Sequence, residues 1–242
     1  MSEAHAYAWQ YGGGVAERDT GPPPGPAHAA EEPEPQGWRP STMSVQPPMR
    51  PRPRPGNLRE LAETIESATG LRVQIVGGSL VMSPTPRGKH AGVIYRLEET
   101  IRPRLPKSLV AVEMASIEMP EDPDDYVTPD LTVCPAEFLT SDHWLIDPHD
   151  VELAVEVISQ SEKARDIRQK SDWYAVAGVR ALLVVDPRHG TWALHTSPSN
   201  GSYQDTLPGK YGEEIPLPDP LALSVATGEL PLYGDGGSAR PR

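Results

Sequence analysis

An α/β domain with a mixed sheet is the fold class the sequence predicts, and three observations predict it. Val151 to Ile158 is the most strand-like run in the chain, a helical pattern follows from about Glu162 to Ala177, and after Gly178 the run Ala181 to Val185 has strand character again. Strand, helix and strand in that order form a βαβ unit, which favours a mixed sheet with helices packed on it.

The elements before this unit follow from periodicity and turn chemistry. Asn57 can cap a helix with Glu60 three positions on, Leu58, Leu61 and Ile65 mark its apolar face, and Gly70 stops it. Val73 to Val76 and Leu80 to Met82 flank Gly77-Gly78, which predicts a hairpin because paired glycines permit the positive φ of a tight turn. Pro84 and Pro86 end the second strand. From Lys89 to Ile101 the residues Val93, Ile94, Leu97 and Ile101 recur at helical spacing, and Pro103 ends that helix. Leu109 to Met114 reads as a strand, an acidic loop with Glu118, Glu121, Asp122, Asp124 and Asp125 follows, and Leu131 to Cys134 resumes strand character. Within Val151 to Ile158, alternation puts Val151, Leu153, Val155 and Val157 on one face, and Glu152, Ala154, Glu156 and Ile158 on the other. Trp192 to His195, closed by the Ser197 to Gly201 turn cluster, predicts a further hairpin with a strand around Tyr203.

Composition sets the limits of the domain. Twelve of the 29 prolines fall before Gly56, in a segment with hardly any aliphatic residues. Such a segment cannot bury enough apolar surface to offset its ordering entropy, so 1–56 is expected to be a disordered Pro/Gly/Arg-rich tail. The domain is then expected over 57–233, with 234–242 frayed at the C-terminus. The single cysteine, Cys134, excludes an internal disulfide and a multi-cysteine zinc site. With no basic start and no apolar run long enough to span a bilayer, the expectation is a cytoplasmic protein with no membrane partner. The net charge of −12 weighs against a general nucleic-acid binder, although Arg87, Lys89, Arg96, Arg102, Arg104, Lys163, Arg165 and Arg168 form local basic groups.

Chemistry concentrates around the βαβ unit. On its helix Lys163, Asp166, Ile167, Lys170, Trp173, Tyr174 and Ala177 share a side, so Asp166 and Lys170 are expected to be carried towards the sheet. The bland alternative is an Asp166 to Lys170 ion pair, with Lys170 snorkelling past the aromatics. Glu156 interrupts an apolar strand, where an ionised carboxylate needs a cation, a metal or hydrogen-bond donors. Asp130 follows Pro129 at the mouth of another strand and is otherwise read as a turn residue. Two carboxylates at neighbouring strand ends, with the backbone carbonyl of Val157, would supply hard oxygen ligands for Mg²⁺. His90, a lone histidine at a helix start, reads as a polar cap or as a group that could assist proton transfer.

The segments Tyr126 to Leu131, Glu152 to Ser159 and Asp166 to Lys170, followed by Tyr174, Gly178-Val179 and Val184 to Pro187, resemble the Uma-type restriction endonucleases. Met82-Ser83-Pro84 with His90 downstream also fits this branch of the PD-(D/E)xK nuclease superfamily, and the resemblance begins at about Leu58. It implies a three-layer α/β/α core and a metal at Asp130 and Glu156. The usual superfamily motif has its lysine two residues after the glutamate, where this chain has Ile158. The branch supplies it from the following helix, which makes Lys170 the candidate. Related chains carry an acidic residue near the first hairpin, where this one has Gln74.

The resemblance thus implies an Mg²⁺- or Mn²⁺-dependent endonuclease acting on DNA, with Asp130, Glu156, Lys170 and His90 as its catalytic set. A homodimer and a partner for the tail are carried as further expectations. The competing class is a non-catalytic interaction module on a nuclease fold, which the acidic balance and Gln74 favour.

Overall fold

The computed structural model describes residues 57–234, Pro84 apart. The tail expected over 1–56 and residues 235–242 lie outside the described residues. In chain order the elements are α1 (Asn57–Thr69), β1 (Arg72–Val76), β2 (Ser79–Ser83), α2 (Gly88–Ile101), β3 (Leu109–Glu113), β4 (Ser116–Met119), β5 (Asp122–Val127), β6 (Leu131–Pro135), β7 (Leu145–Ile146), β8 (Leu153–Val157), α3 (Ala164–Ala177), β9 (Ala181–Asp186), β10 (Thr191–Ser199), β11 (Ser202–Lys210), β12 (Glu214–Pro216) and β13 (Ser224–Ala226).

The βαβ unit holds the centre of a six-stranded sheet of order β11-β10-β9-β8-β6-β3. Its strands β8 and β9 pair in parallel through α3, and every other neighbour in that sheet is antiparallel. Alternation then sorts the side chains into two layers. Leu153, Val155 and Val157 of β8 join Val93, Ile94, Leu97 and Ile101 of α2 in one core. Ala154 of β8 and Leu182 of β9 join Trp173, Tyr174 and Ala177 of α3 in the other. A helix on each face makes the three layers, and each fully buried Leu or Ile contributes about 2 kcal/mol to them.

A second sheet of order β2-β1-β5-β4-β7 packs into the α3 layer through Val76, Ile117, Val127 and Ile146. It was not foreseen, because the stretch read as an acidic loop is the β4–β5 hairpin. Asp124 and Asp125 are buried there, and a tertiary partner makes that burial tolerable: Trp173 Nε1 donates to Asp125 Oδ1 at 2.9 Å. The Gly77-Gly78 turn does have positive φ at both residues, 58° and 72°.

Two readings of faces and one of a turn need correction. Leu61 is 45% exposed, and the packed stripe of α1 is Leu58, Ala62 and Ile65, which lie closer to one line on a helix. Val151 packs in the α3 layer, because β8 begins only at Leu153 after a 3-10 turn at Pro148–Asp150, so strand alternation does not reach it. The β10–β11 hairpin turns at Asn200 and Gly201, with β10 running on through Ser197 to Ser199. The C-terminal pair β12 and β13 had no sequence signal beyond its proline and leucine content.

Candidate active site

Adjacent antiparallel strands bring the two carboxylates together. Leu131 of β6 lies opposite Val155 of β8, so Asp130, one residue before β6, stands beside Glu156. Its backbone N–H donates to the Val155 carbonyl at 3.0 Å, and its Oδ2 accepts the Val157 N–H at 2.8 Å. Asp130 thereby brackets Glu156 on both sides, which is far more than a turn residue does. Oδ1 faces His90 Nε2 at 3.3 Å and the Arg72 guanidinium at 3.7 Å. The His90 Nε2 makes no aligned hydrogen bond. Burial acts to raise the Asp130 pKa, but His90, the Val157 N–H and the Lys170 charge outweigh it and hold the carboxyl below its ordinary value.

Glu156 points to the α3 layer. Lys170 Nζ donates to its Oε2 at 2.7 Å and Tyr174 Oη to its Oε1 at 2.7 Å. Burial, with the charge of Asp130 adding to it, pushes the Glu156 pKa up against the pull of Lys170. Burial acts to lower Lys170, but the Glu156 carboxylate overcomes this and the ammonium is held charged, its pKa raised. The Tyr174 hydroxyl is pushed well above its ordinary value by burial and by Glu156.

The structure therefore gathers Asp130, Glu156, Lys170 and His90 into one cluster and leaves Asp166 out of it. Asp166 sits in the first turn of α3, its side chain 46% exposed, with Arg165 at 3.6 Å. One turn further on, Lys170 has left Asp166 for the sheet, so the i,i+4 pair does not form. Gln74 is buried and its Oε1 accepts the Thr128 N–H at 3.2 Å, which steadies the chain that leads into Asp130. Val157 is engaged through its N–H, and its carbonyl remains the candidate ligand.

Sequence reasoning missed three contributors. Arg72 and Tyr233 were not read at all, and Tyr174 was read only as one of the residues on the buried side of its helix. Tyr174 carried a readable signal, since it follows Lys170 by four residues on the buried face. Arg72 and Tyr233 carried none.

The donor set is two buried carboxylates on one spot, and among the described residues no group of three or more His, Cys, Asp and Glu is arranged to hold a metal. That chemistry fits Mg²⁺, which binds through one or two carboxylates and keeps several waters, and does not fit an all-protein cage for a transition metal.

A family model described as "Uma2: Putative restriction endonuclease" matches residues 58–229. Among solved structures the chain is similar to a putative nuclease belonging to DUF820 from Anabaena variabilis ATCC 29413. The TM-score is 0.55 at 17% identity, over 67% of this chain and 90% of that one. A likeness to the DrdV–DNA complex covers 62% of this chain and 12% of that one at 14% identity, and its TM-score of 0.32 says nothing about this fold. No curated protein matches the chain.

Proposed function

We propose that this chain, which belongs to the Uma2 family, is a metal-dependent endonuclease that hydrolyses phosphodiester bonds in DNA. The observation that carries the proposal is that Asp130, just before β6, accepts the Val157 N–H beside Glu156 of β8, while Lys170 of α3 donates to Glu156, all three being buried or nearly so. A stability role alone accounts for it poorly, because burying two carboxylates and a lysine costs several kcal/mol per ion and gains little over apolar packing.

Asp130 and Glu156, with the Val157 carbonyl, would hold Mg²⁺ or Mn²⁺. A divalent ion bound there supplies a Lewis acid for the phosphodiester oxygens and lowers the pKa of coordinated water. The chain's own residues do the rest. Asp130 stays ionised at neutral pH and is fixed by the Val157 N–H, so its free lone pairs keep one direction. Lys170, charged and anchored on Glu156, presents an ammonium beside the carboxylates, where it stabilises negative charge building on a phosphate. His90 touches Asp130 from α2, within reach of a phosphate or a proton in transfer.

The test compares wild type with Asp130→Asn, Glu156→Gln and Lys170→Ala by calorimetry with Mg²⁺ and Mn²⁺ and by plasmid nicking. Loss of either carboxylate should abolish metal binding and nicking together. Loss of Lys170 should spare metal binding and reduce nicking about 100-fold or more. Full metal affinity in both carboxylate variants would overturn the site assignment. Metal binding by a wild type that cuts nothing would favour the interaction module, a reading that Gln74 in place of an acidic residue also supports.

A further inference from the structure

We infer that Leu230–Tyr233 is a strap that sets the ring of His90, and that Tyr233 is a positioning residue for the site. Its effect on cleavage rests on the endonuclease reading above, whereas its effect on His90 does not.

Tyr233 Oη lies 3.2 Å from His90 Nδ1, on the far side of the ring from the Nε2 that faces Asp130. Its backbone is tied down where it needs to be. The Tyr233 N–H donates to the Pro187 carbonyl at 2.9 Å, and the Leu232 carbonyl accepts Lys89 Nζ at 2.6 Å, one residue from His90. Leu230 is buried in the α2 core.

Two glycines leave room for the strap. A methyl at Gly92 on α2 would sit 3.2 Å from Pro231 Cγ, and one at Gly190 in the β9–β10 turn 2.9 Å from Leu232 Cδ2. Close approach from two separate elements is what a seated segment needs. Residues 230–233 lie just beyond the 58–229 matched to the family.

The chemistry follows from the imidazole itself. A neutral ring has one N–H and one lone pair. Nε2 faces a carboxylate, which favours the proton there and leaves the lone pair on Nδ1. The Tyr233 hydroxyl is a donor for that lone pair. Asp130 and Tyr233 therefore select the same tautomer from opposite sides, as an outer partner fixes a ligand's ring. Without the hydroxyl, the Nδ1 lone pair loses its hydrogen bond in a buried site and the ring is held from the Asp130 side alone, so it is free to turn.

The experiment is ¹⁵N NMR of the histidine-labelled full chain, about two pH units above the ordinary histidine value, with His90 assigned by the signal lost in His90→Gln. Wild type should hold His90 as the Nε2–H tautomer with its Nδ1 signal at the position of a hydrogen-bonded lone pair, and Tyr233→Phe should move that Nδ1 signal downfield. Gly92→Val, which crowds Pro231 and so shifts the strap while Tyr233 and every site residue keep their identity, should move the His90 signal the same way. An Nδ1–H tautomer in wild type, or His90 signals unchanged in Tyr233→Phe, would overturn the inference. Where wild type nicks DNA, Tyr233→Phe should lower kcat about tenfold with KM unchanged, and a KM effect alone would count against positioning. Where it nicks nothing, the endonuclease reading fails and the NMR still decides the strap.

Discussion

Asp130 and Glu156 are the same kind of group on adjacent strands, both 7% exposed, yet the two sides of the site treat them oppositely. Asp130 is met by a backbone N–H, His90 from α2 and Arg72 from β1, and is held below its ordinary pKa. Glu156 is sunk among apolar residues under α3 with Lys170 and Tyr174 as its donors, and burial pushes it up. The difference lies in the number and placement of donors rather than in depth. One carboxylate is poised as a fixed anion, and the other depends on a single cation.

That dependence sets the largest expected effect. Lys170→Met should destabilise the domain by about 3 kcal/mol, because it strands Glu156 with the Tyr174 hydroxyl alone. Adding Glu156→Leu should recover most of the loss in urea titrations. A non-additive recovery below about 0.5 kcal/mol would mean that the pair is not coupled as its geometry says.

Asp130→Asn should cost about 2 kcal/mol at neutral pH, since the amide turns an N–H₂ towards His90 and Arg72. The sign with pH follows from the lowered folded pKa. The carboxylate's contribution is present above its unfolded value and is lost as pH falls through the folded one. The gap between wild type and variant should therefore close in acid, and a gap independent of pH would refute the ionic account.

Asp125 is the counterpart in the second sheet, raised to about 6 by burial despite its Trp173 bond. Its folded pKa exceeds the unfolded one, so stability falls as pH rises from about 4 to about 6. Asp125→Asn keeps an acceptor for Trp173 and should stabilise the protein by on the order of 1 kcal/mol above pH 6, after allowance for solvent screening. Thermal melts at pH 4 and pH 7 would check this, and the variant should gain only at the higher pH. Asp166→Ala, smallest of all, should change stability by less than about 0.5 kcal/mol and leave Lys170 in place. A larger loss would restore the helical ion pair as a real interaction.

Legibility in the sequence was uneven in an informative way. The apolar stripe of α2 was readable to the residue, as was the parallel β8–α3–β9 unit. Glu156 could be flagged because a charge in an apolar strand has to be explained, and Lys170 because its helical neighbours are aromatic. The second sheet was not readable, since an acidic stretch signals a loop until Trp173 is placed beside Asp125. Leu61 shows the same limit on a smaller scale: a leucine next to a stripe is not in it unless something packs there.

Periodicity and turn chemistry are local, so the sequence alone determined where helices and strands run, which faces are apolar, and which residues are costly to bury. The tertiary structure decided who meets them. Lys170 finds Glu156 across 14 positions, Trp173 finds Asp125 across 48 and Tyr233 finds His90 across 143. Such meetings are set by the packing of sheets and helices, and a pKa, a tautomer or an ion pair is a property of the neighbours that packing supplies.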